Sequence, residues 1–238
     1  MQWETNALRA LPRDLDFILY DVLGLAGRAD HAPLIQAAMQ VAGQAFAPCA
    51  AELDACEPHL MDGRLVLPAA LKPAVDAFTE AGFLAAPFPE VDGGLGLPYT
   101  VWQALVAPFQ LANPGAAGYP LLTAAAANLL RAHGSPAQKR RYMAPMLEGR
   151  FFGTMALSEP QAGSSLADLR CKALRQPDGS YHLVGDKMWI SAGAHDLAEA
   201  IVHLVLARLP DAPAGSKGIS LFVVPKYRVE ADGSLGAR

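Results

Sequence analysis

Residues 155–165, MALSEPQAGSS, combine features that could bind a charged ligand. The stretch begins with apolar residues typical of a strand, breaks at Pro160, and continues into Ala162, Gly163 and Ser164. Side chains this small let backbone N–H groups come close to an anion, as nests of amides do. We therefore expect either an ordinary surface turn here or a backbone cradle for a molecule that carries phosphate.

A second segment, KMWIS at residues 187–191, could supply the other half of such a site. If it forms a strand, Trp189 and Ser191 lie on the same side, because they are two residues apart. A flat aromatic ligand with a pyrophosphate tail would then stack on Trp189 and form hydrogen bonds with Ser158 and Ser191. Tryptophan and serine are also ordinary strand residues, so a purely structural role stays open at this point.

Other motifs favour structural roles. The glycine-rich GGLG at residues 93–96 lacks the strand and helix that a dinucleotide-binding loop requires, and it is more typical of a connection between helices. AGSSLAD does not supply the Gly-x-Ser-x-Gly of a serine hydrolase. The six histidines show no metal-ligand spacing, so we expect no metal site. The basic run Lys139–Arg141 is typical of a solvated helix face.

Composition excludes several classes of protein. The 238 residues carry a net charge of −4, which argues against a nucleic-acid partner. Cys49, Cys56 and Cys171 form no CxxC pair, which favours a reducing compartment. The N-terminus lacks the apolar core of a signal peptide, and the apolar run Ile201–Ala207 is too short to span a bilayer. We therefore expect a cytoplasmic protein with no membrane partner.

The first 150 residues have a helical pattern. In LPAALKPAVDAFTEAG, Leu71, Val75 and Phe78 share one face and Gly82 marks the end. PLLTAAAANLLRAHG, residues 120–134, predicts a buried helix. PFPEVDGGLGLP, residues 87–98, predicts a loop because it is rich in proline and glycine.

SPAQKRRYMAPMLEG begins with a capping-box pattern, formed by Ser135 and Gln138 around Pro136. Pro145 should kink this helix and Gly149 should end it. The side chains that we expect to face inward are Tyr142, Met143, Met146 and Leu147.

After Gly149 the pattern changes to short strands separated by turns such as PDG and GDK. The predicted strands are RFFGTMALS, SYHLVG, KMWIS, AIVHLVLA and GISLFVV. The sequence therefore predicts an α+β fold: an all-helical domain at residues 1–150, with an N-terminal extension at 1–30, and a small antiparallel β-barrel or sandwich at 151–238.

Four of these motifs together resemble the acyl-CoA dehydrogenase family. MALSEPQAGSS resembles its flavin-binding pattern, usually Thr-Glu-Pro-x-Ala-Gly-Ser-Asp, and KMWISAG resembles its second flavin motif, Trp-Ile-Thr/Ser. PEVDGGLGLP and GSPAQKRRYMAPMLEG match in type and order, so the resemblance covers most of residues 68–225. ISAGAHDLAEAIVHLVLARLPDAP and DFILYDVLG further resemble the branch of long acyl-CoA dehydrogenases that includes 3-methylmercaptopropionyl-CoA dehydrogenase.

The resemblance implies FAD as the cofactor. Leu157 and Ser158 would lie near the isoalloxazine, Ser164 also near the acyl-CoA, and the Ser191 hydroxyl near N5. Ser158 replaces the usual threonine, and Ser165 replaces the usual aspartate, which is expected to loosen the following turn. The residues implied to bind FAD are Met155, Ala156, Leu157, Ser158, Glu159, Pro160, Gln161, Ala162, Gly163, Ser164, Trp189, Ile190 and Ser191.

The implied reaction is α,β-dehydrogenation of an acyl-CoA thioester. A carboxylate removes the α proton, hydride passes from the β carbon to flavin N5, and bonds to the thioester carbonyl acidify the α proton. The family's catalytic glutamate lies in a C-terminal helical domain that we do not expect within these 238 residues, and Glu159 is interpreted as a structural carboxylate. The resemblance also implies an electron-transfer flavoprotein as electron acceptor and a homo-oligomer. The alternative is a non-catalytic remnant that binds flavin or a partner subunit.

Overall fold

Helices dominate the chain up to residue 148. The computed structural model describes residues 2–237, with side chains from residue 8 onward, so the ends of the two predicted domain ranges, residues 1 and 238, lie outside it. The helices in this range are α1 (Gln2–Asp16), α2 (Arg28–Val41), α3 (Ala47–Ala55), α4 (Leu71–Glu80), α5 (Tyr99–Ala112), α6 (Pro114–His133), α7 (Pro136–Gln138) and α8 (Ala144–Leu147).

The strands are more numerous than expected. They are β1 (His59–Met61), β2 (Arg64–Val66), β3 (Phe151–Ala156), β4 (Lys172–Arg175), β5 (Tyr181–Val184), β6 (Ala200–Arg208) and β7 (Ile219–Pro225). The prediction that the first 150 residues are all helical is wrong, because β1 and β2 form an antiparallel hairpin. Asp62 and Gly63 connect them with φ angles of 51° and 74°, the left-handed pair that a tight two-residue hairpin turn requires.

The five remaining strands form one mixed sheet with β6 at its centre. β6 pairs in parallel with β3 and, through Arg208 and Lys172, with β4. It pairs antiparallel with β7, and β4 pairs antiparallel with β5. The prediction of an antiparallel barrel is therefore wrong: two of the four strand pairings are parallel, and the sheet does not close within residues 2–237. A strand that follows a long connection can run parallel to its partner, and the residue pattern of a strand does not reveal its direction.

The helical core confirms the amphipathic pattern of α4. Leu71, Val75 and Phe78 are all buried in it, as predicted. The Phe78 ring meets the Phe109 ring edge-on with centroids 4.8 Å apart, and Phe109 meets Phe46 in the same way at 4.9 Å. Edge-to-face packing of this kind is favourable beyond the apolar area that it buries.

The capping box at Ser135 and Gln138 is confirmed, with both reciprocal hydrogen bonds present. The kink at Pro145 stays a prediction, and the structure shows a π-helical turn at Lys139–Met143 just before this proline. The N–H of Ala144, just before the proline, donates to the carbonyl of Lys139, five residues back. The π turn accommodates the proline, which has no N–H and crowds the carbonyl four residues before it.

Helix α6 packs directly on β3 and positions the end of that strand. It begins at Pro114, six residues before the predicted start, because the Asn113 side chain caps it by accepting from the Ala116 N–H. A side chain at Gly153 of β3 would overlap the methyl group of Ala126 in α6. The absence of a side chain at Gly153 therefore allows β3 and α6 to approach each other closely. No helix within residues 2–237 has both the length and the apolar character needed to cross a bilayer.

Candidate functional site

The first candidate segment continues from the end of β3. Met155 and Ala156 are the last strand residues, and Leu157 and Ser158 follow as half-buried loop residues. Glu159 and Ala162 are buried and exchange two backbone hydrogen bonds, which closes a tight turn around Pro160 and Gln161. Gly163 and Ser164 are exposed beyond this turn.

The second candidate segment is not a strand, which corrects the prediction for KMWIS. Residues 186–190 have no regular structure, so the argument that Trp189 and Ser191 share a strand face fails. Trp189 has a φ of 59° and Ala192 a φ of 54°, left-handed values that are uncommon for residues with a side chain. Trp189 is 84% exposed, so protein atoms cover little of this residue.

The structure nevertheless brings the two segments together. The Met188 N–H donates to the carbonyl oxygen of Ser158 at 3.0 Å. From the strand before the first segment, the Thr154 hydroxyl donates to the carbonyl of Ser191 at 2.5 Å. The residues before and after Trp189 in sequence are thus hydrogen-bonded to the end of β3 and to the loop that follows it.

Glu159 lies at the centre of this junction. One carboxylate oxygen accepts from the Lys187 ammonium at 2.9 Å and from the Cys171 N–H at 3.0 Å, and the other accepts from the Arg170 N–H and the Gln161 amide, both at 2.7 Å. Burial opposes ionisation of Glu159, but these hydrogen bonds outweigh it and lower the pKa of the carboxyl group. Its side chain is 2% exposed, so it is already fully engaged within the protein.

The loop after Ala162 offers backbone donors to a ligand. Within the described chain, the N–H groups of Gly163, Ser164 and Ser165 donate to no protein acceptor, whereas the Ala162 N–H is used by Glu159. A Cβ at Gly163 would meet no atom within 4 Å, and this glycine has no left-handed φ, so neither packing nor backbone strain explains it. Close approach of a ligand would explain it.

Ser165 closes the turn that was expected to be loose. Its hydroxyl donates to the Asp168 carboxylate at 2.8 Å, and its carbonyl accepts from the Asp168 N–H. The Arg208 guanidinium holds the same turn from β6 by donating to the carbonyls of Ala167 and Leu169 at 2.7 and 2.8 Å. The aspartate of the family pattern is therefore replaced by a serine that makes its own hydrogen bonds.

His195 follows the second segment in sequence and is buried. Its Nδ1 accepts from the Leu197 N–H at 3.3 Å, and its ring meets Tyr119 of α6 and Phe152 of β3 edge-on. Burial, followed by the positive charge of Lys226, lowers the pKa of His195 to about 4. The imidazole is therefore neutral at physiological pH and joins the sheet to α6.

Sequence reasoning missed Thr154, Lys187, His195 and Arg208 as parts of this junction. Lys187 stands directly before the apolar Met188 and Trp189, and a charged residue at a buried position is the signal that could have found it. No group of three histidine, cysteine or acidic side chains among the described residues is placed to hold a metal ion. The three cysteines are free thiols.

Comparison with known proteins places both parts of the chain in one family. Residues 28–150 match the acyl-CoA dehydrogenase N-terminal domain, and residues 154–234 match the acyl-CoA dehydrogenase middle domain. The 3-methylmercaptopropionyl-CoA dehydrogenase of Ruegeria pomeroyi is 44% identical over 196 residues, which cover 82% of this chain and 33% of the relative. This chain therefore spans about a third of the length of that relative.

Solved structures of similar fold agree. Butyryl-CoA dehydrogenase of Megasphaera elsdenii matches with a TM-score of 0.69 and 25% identity over 82% of this chain and 48% of its own. A chain in a structure described as the electron transferring flavoprotein of Acidaminococcus fermentans matches with a TM-score of 0.67 and 27% identity, over 83% of this chain and 48% of its own. With both of its parts matched, the chain belongs to the acyl-CoA dehydrogenase family.

Proposed function

We propose that this chain carries flavin-contacting segments of an FAD-dependent acyl-CoA dehydrogenase. In this proposal the segments Met155–Ser164 and Trp189–Ser191 line the cofactor, and Ser164 also lies near the acyl-CoA. The observation that carries the proposal is the junction of these segments: their backbones are hydrogen-bonded together, and Trp189 is largely uncovered by protein atoms.

The residues at this junction fit the two ends of FAD. The indole of Trp189 offers a flat apolar face to an aromatic ring system. The N–H groups of Gly163 and Ser164, with the open space at Gly163, suit a pyrophosphate group. Ala156, Glu159 and Ala162 are buried, so within the proposal they shape the segment and their side chains do not touch the cofactor.

FAD, when bound, supplies the acceptor for the hydride that leaves the β carbon of the thioester. The proton-abstracting carboxylate is not Glu159, because four hydrogen-bond donors already hold that group and lower its pKa. The base in this proposal comes from outside the segments assigned here. The hydroxyl groups of Ser158 and Ser191 are available to bind polar edges of the ring system, since the hydrogen bonds of the described chain use only the backbone of these residues.

We further propose an electron-transfer flavoprotein as the electron acceptor and a homo-oligomeric assembly. The structural match to a chain described with the electron transferring flavoprotein of Acidaminococcus fermentans supports the first. The assembly rests on the family resemblance, and the cytoplasmic location rests on composition and on the pattern of the N-terminus. The identity of the acyl chain is left open, since the relatives act on different thioesters by their names.

The test is the visible absorbance of the purified full-length protein after addition of FAD and removal of excess cofactor. We expect a retained flavin band that bleaches anaerobically when butyryl-CoA or 3-methylmercaptopropionyl-CoA is added. A retained band that neither thioester bleaches would favour the non-catalytic flavin-binding alternative. A protein that is folded by circular dichroism but retains no flavin would overturn the proposal.

A further inference from the structure

Lys187 occupies an unusual environment for a lysine. Its side chain is only 12% exposed, although lysine is among the residues least often buried. A buried ammonium group requires partners, because losing its hydration without replacement is strongly unfavourable. The structure provides two partners, and both belong to the first candidate segment.

The first partner is the carbonyl oxygen of Leu157, to which the Lys187 ammonium donates at 3.0 Å. The second is the carboxylate of Glu159, at 2.9 Å, which also holds the N–H groups of Arg170 and Cys171. One ammonium group thus connects the residue before the second segment to the backbone of the first segment. Its third N–H has no acceptor within the described residues.

These contacts determine how freely the second segment can move. Two hydrogen bonds hold the second segment on either side of Trp189, one from Met188 to Ser158 and one from Thr154 to the carbonyl of Ser191. The bond from Lys187 to Leu157 lies one residue before the Met188–Ser158 bond on each segment and adds a further connection on that side of Trp189. Two adjacent bonds on that side restrict the tilt of the second segment more than the Met188 bond does alone.

We infer that Lys187 is a positioning residue of the flavin site, whose ammonium sets the placement of Trp189 relative to Leu157 and Ser158. The inference rests on the proposed function, since it concerns the same two segments. It adds a role for a residue that touches neither cofactor nor substrate in that proposal. The left-handed backbone of Trp189 makes such a connection useful, because an uncommon conformation persists only where its surroundings hold it.

The experiment compares FAD binding by the full-length protein with that of Lys187→Met and Lys187→Arg. We expect Lys187→Met to weaken FAD binding about tenfold or more, since a hydrogen bond to a charged group is lost, and to shift the long-wavelength flavin band. Lys187→Arg keeps the charge and the donors, and should bind FAD within about threefold of the wild type. All affinities are measured at a temperature where circular dichroism shows every variant folded.

Two control variants separate positioning from general loss of charge or stability. Lys72→Met removes a lysine from an exposed ion pair with Asp76 on α4, and Val75→Ala destabilises the helical core away from the site. Both should bind FAD like the wild type, with an unshifted flavin band. A folded Lys187→Met that also binds FAD like the wild type, with the same spectrum, would overturn the inference while leaving the proposed function intact. A wild-type protein that binds no FAD would overturn both.

Hydrogen–deuterium exchange of the wild-type protein gives a test that needs no variant to fold. If Lys187 holds the second segment in place, the Met188 amide, which donates to Ser158, should already exchange slowly in the FAD-free protein. Fast exchange of the Met188 amide before FAD is added would overturn the inference even where Lys187→Met cannot be purified.

Discussion

The helical core around Phe78 and the junction around Glu159 are both buried, but different forces hold them. Phe46, Phe78 and Phe109 pack ring against ring, and helix periodicity brings Phe78 to the core face. Glu159 instead collects four hydrogen bonds from residues 2 to 28 positions away. Apolar packing tolerates small shifts, whereas hydrogen bonds to a buried carboxylate depend on direction. The comparison predicts that substitutions change stability in the core and ligand binding at the junction.

The largest effect on stability is expected in the helical core. Phe78→Ala should lower the free energy of unfolding by about 3–5 kcal/mol, because it removes a fully buried ring and leaves a cavity. Urea denaturation followed by circular dichroism measures this loss. Val91→Ala is the control, since Val91 is 90% exposed and should change stability by less than about 0.5 kcal/mol. A loss below about 1 kcal/mol for Phe78→Ala would contradict the description of the core.

The amphipathic parts of the fold were predictable because each element carries its own signal. Phe78 and its helix, the capping box at Ser135 and the loop at 87–98 depend on neighbours in sequence, and the structure confirms them. The parallel pairing of β3 with β6 was not predictable, since it joins residues about 49 apart and no local pattern encodes strand direction. The β1–β2 hairpin does have a local signal, because the Asp62–Gly63 pair is typical of two-residue hairpin turns.

The candidate site was predicted by motif, and its local structure was predicted incorrectly. Side-chain chemistry and the family resemblance both point to Trp189 and Ser158, and a hydrogen bond does bring their segments together. The strand assigned to KMWIS failed because the run of apolar residues has strand propensity, while the left-handed φ of Trp189 excludes a strand. Lys187 hydrogen-bonds to Glu159 and Leu157 beside this conformation, and these contacts form only when the chain is folded.

Acid should destabilise the fold through His195, which packs between Tyr119 of α6 and Phe152 of β3. The pKa of His195 is about 4 in the folded protein and 6.5 as a reference, so the unfolded chain binds its proton more readily between these values. The free energy of unfolding should therefore fall as pH decreases from 6.5 to about 4, by up to about 3 kcal/mol from this group. The pKa of His203 is lowered in the same direction, mainly by burial, and adds to the effect.

Urea denaturation at several pH values measures this dependence. His195→Phe should reduce the slope in that window, and His182→Phe, on the exposed side of β5, should leave it unchanged. If the slope of His195→Phe equals that of the wild type, His195 is not the group that titrates.

A smaller loss is expected where α6 meets β3. Gly153→Ala places a methyl group against Ala126 and should lower the free energy of unfolding by roughly 1–3 kcal/mol through overpacking. Thermal unfolding is the measurement. The double variant with Ala126→Gly opens space for the new methyl group and should recover part of the loss. If it recovers none, the contact between α6 and β3 is not the cause.

At the helix cap the effect should be close to 1 kcal/mol. Ser135→Ala removes the side chain that accepts from the Gln138 N–H, and loss of such a cap costs about 1 kcal/mol. Ser135→Asp keeps an acceptor at the cap and should restore stability in the same thermal unfolding assay. Equal stability of the alanine variant and the wild type would show that the cap is dispensable.

The difference between an effect on stability and an effect on ligand binding should be clearest at Gly163. Gly163→Ala adds a methyl group that meets no protein atom, so the free energy of unfolding should stay within about 0.5 kcal/mol. If a ligand approaches the backbone here, FAD affinity should nevertheless fall by about tenfold, a difference of about 1.4 kcal/mol. Isothermal titration with FAD tests this, and unchanged affinity would argue against a cofactor at this loop.

The central position of β6 determines when the rest of the sheet can form during synthesis. Helices up to Leu147 have their partners early, since the helical core draws mainly on residues before that point. β3 has no strand partner among the described residues until β6, which begins at Ala200, has been made, and β6 gains its antiparallel partner only when β7 ends at Pro225. Closing such long connections is slow compared with local helix formation. A nascent chain therefore leaves the edges of β3 unpaired for more than forty residues of growth, the interval in which a chaperone would be most useful.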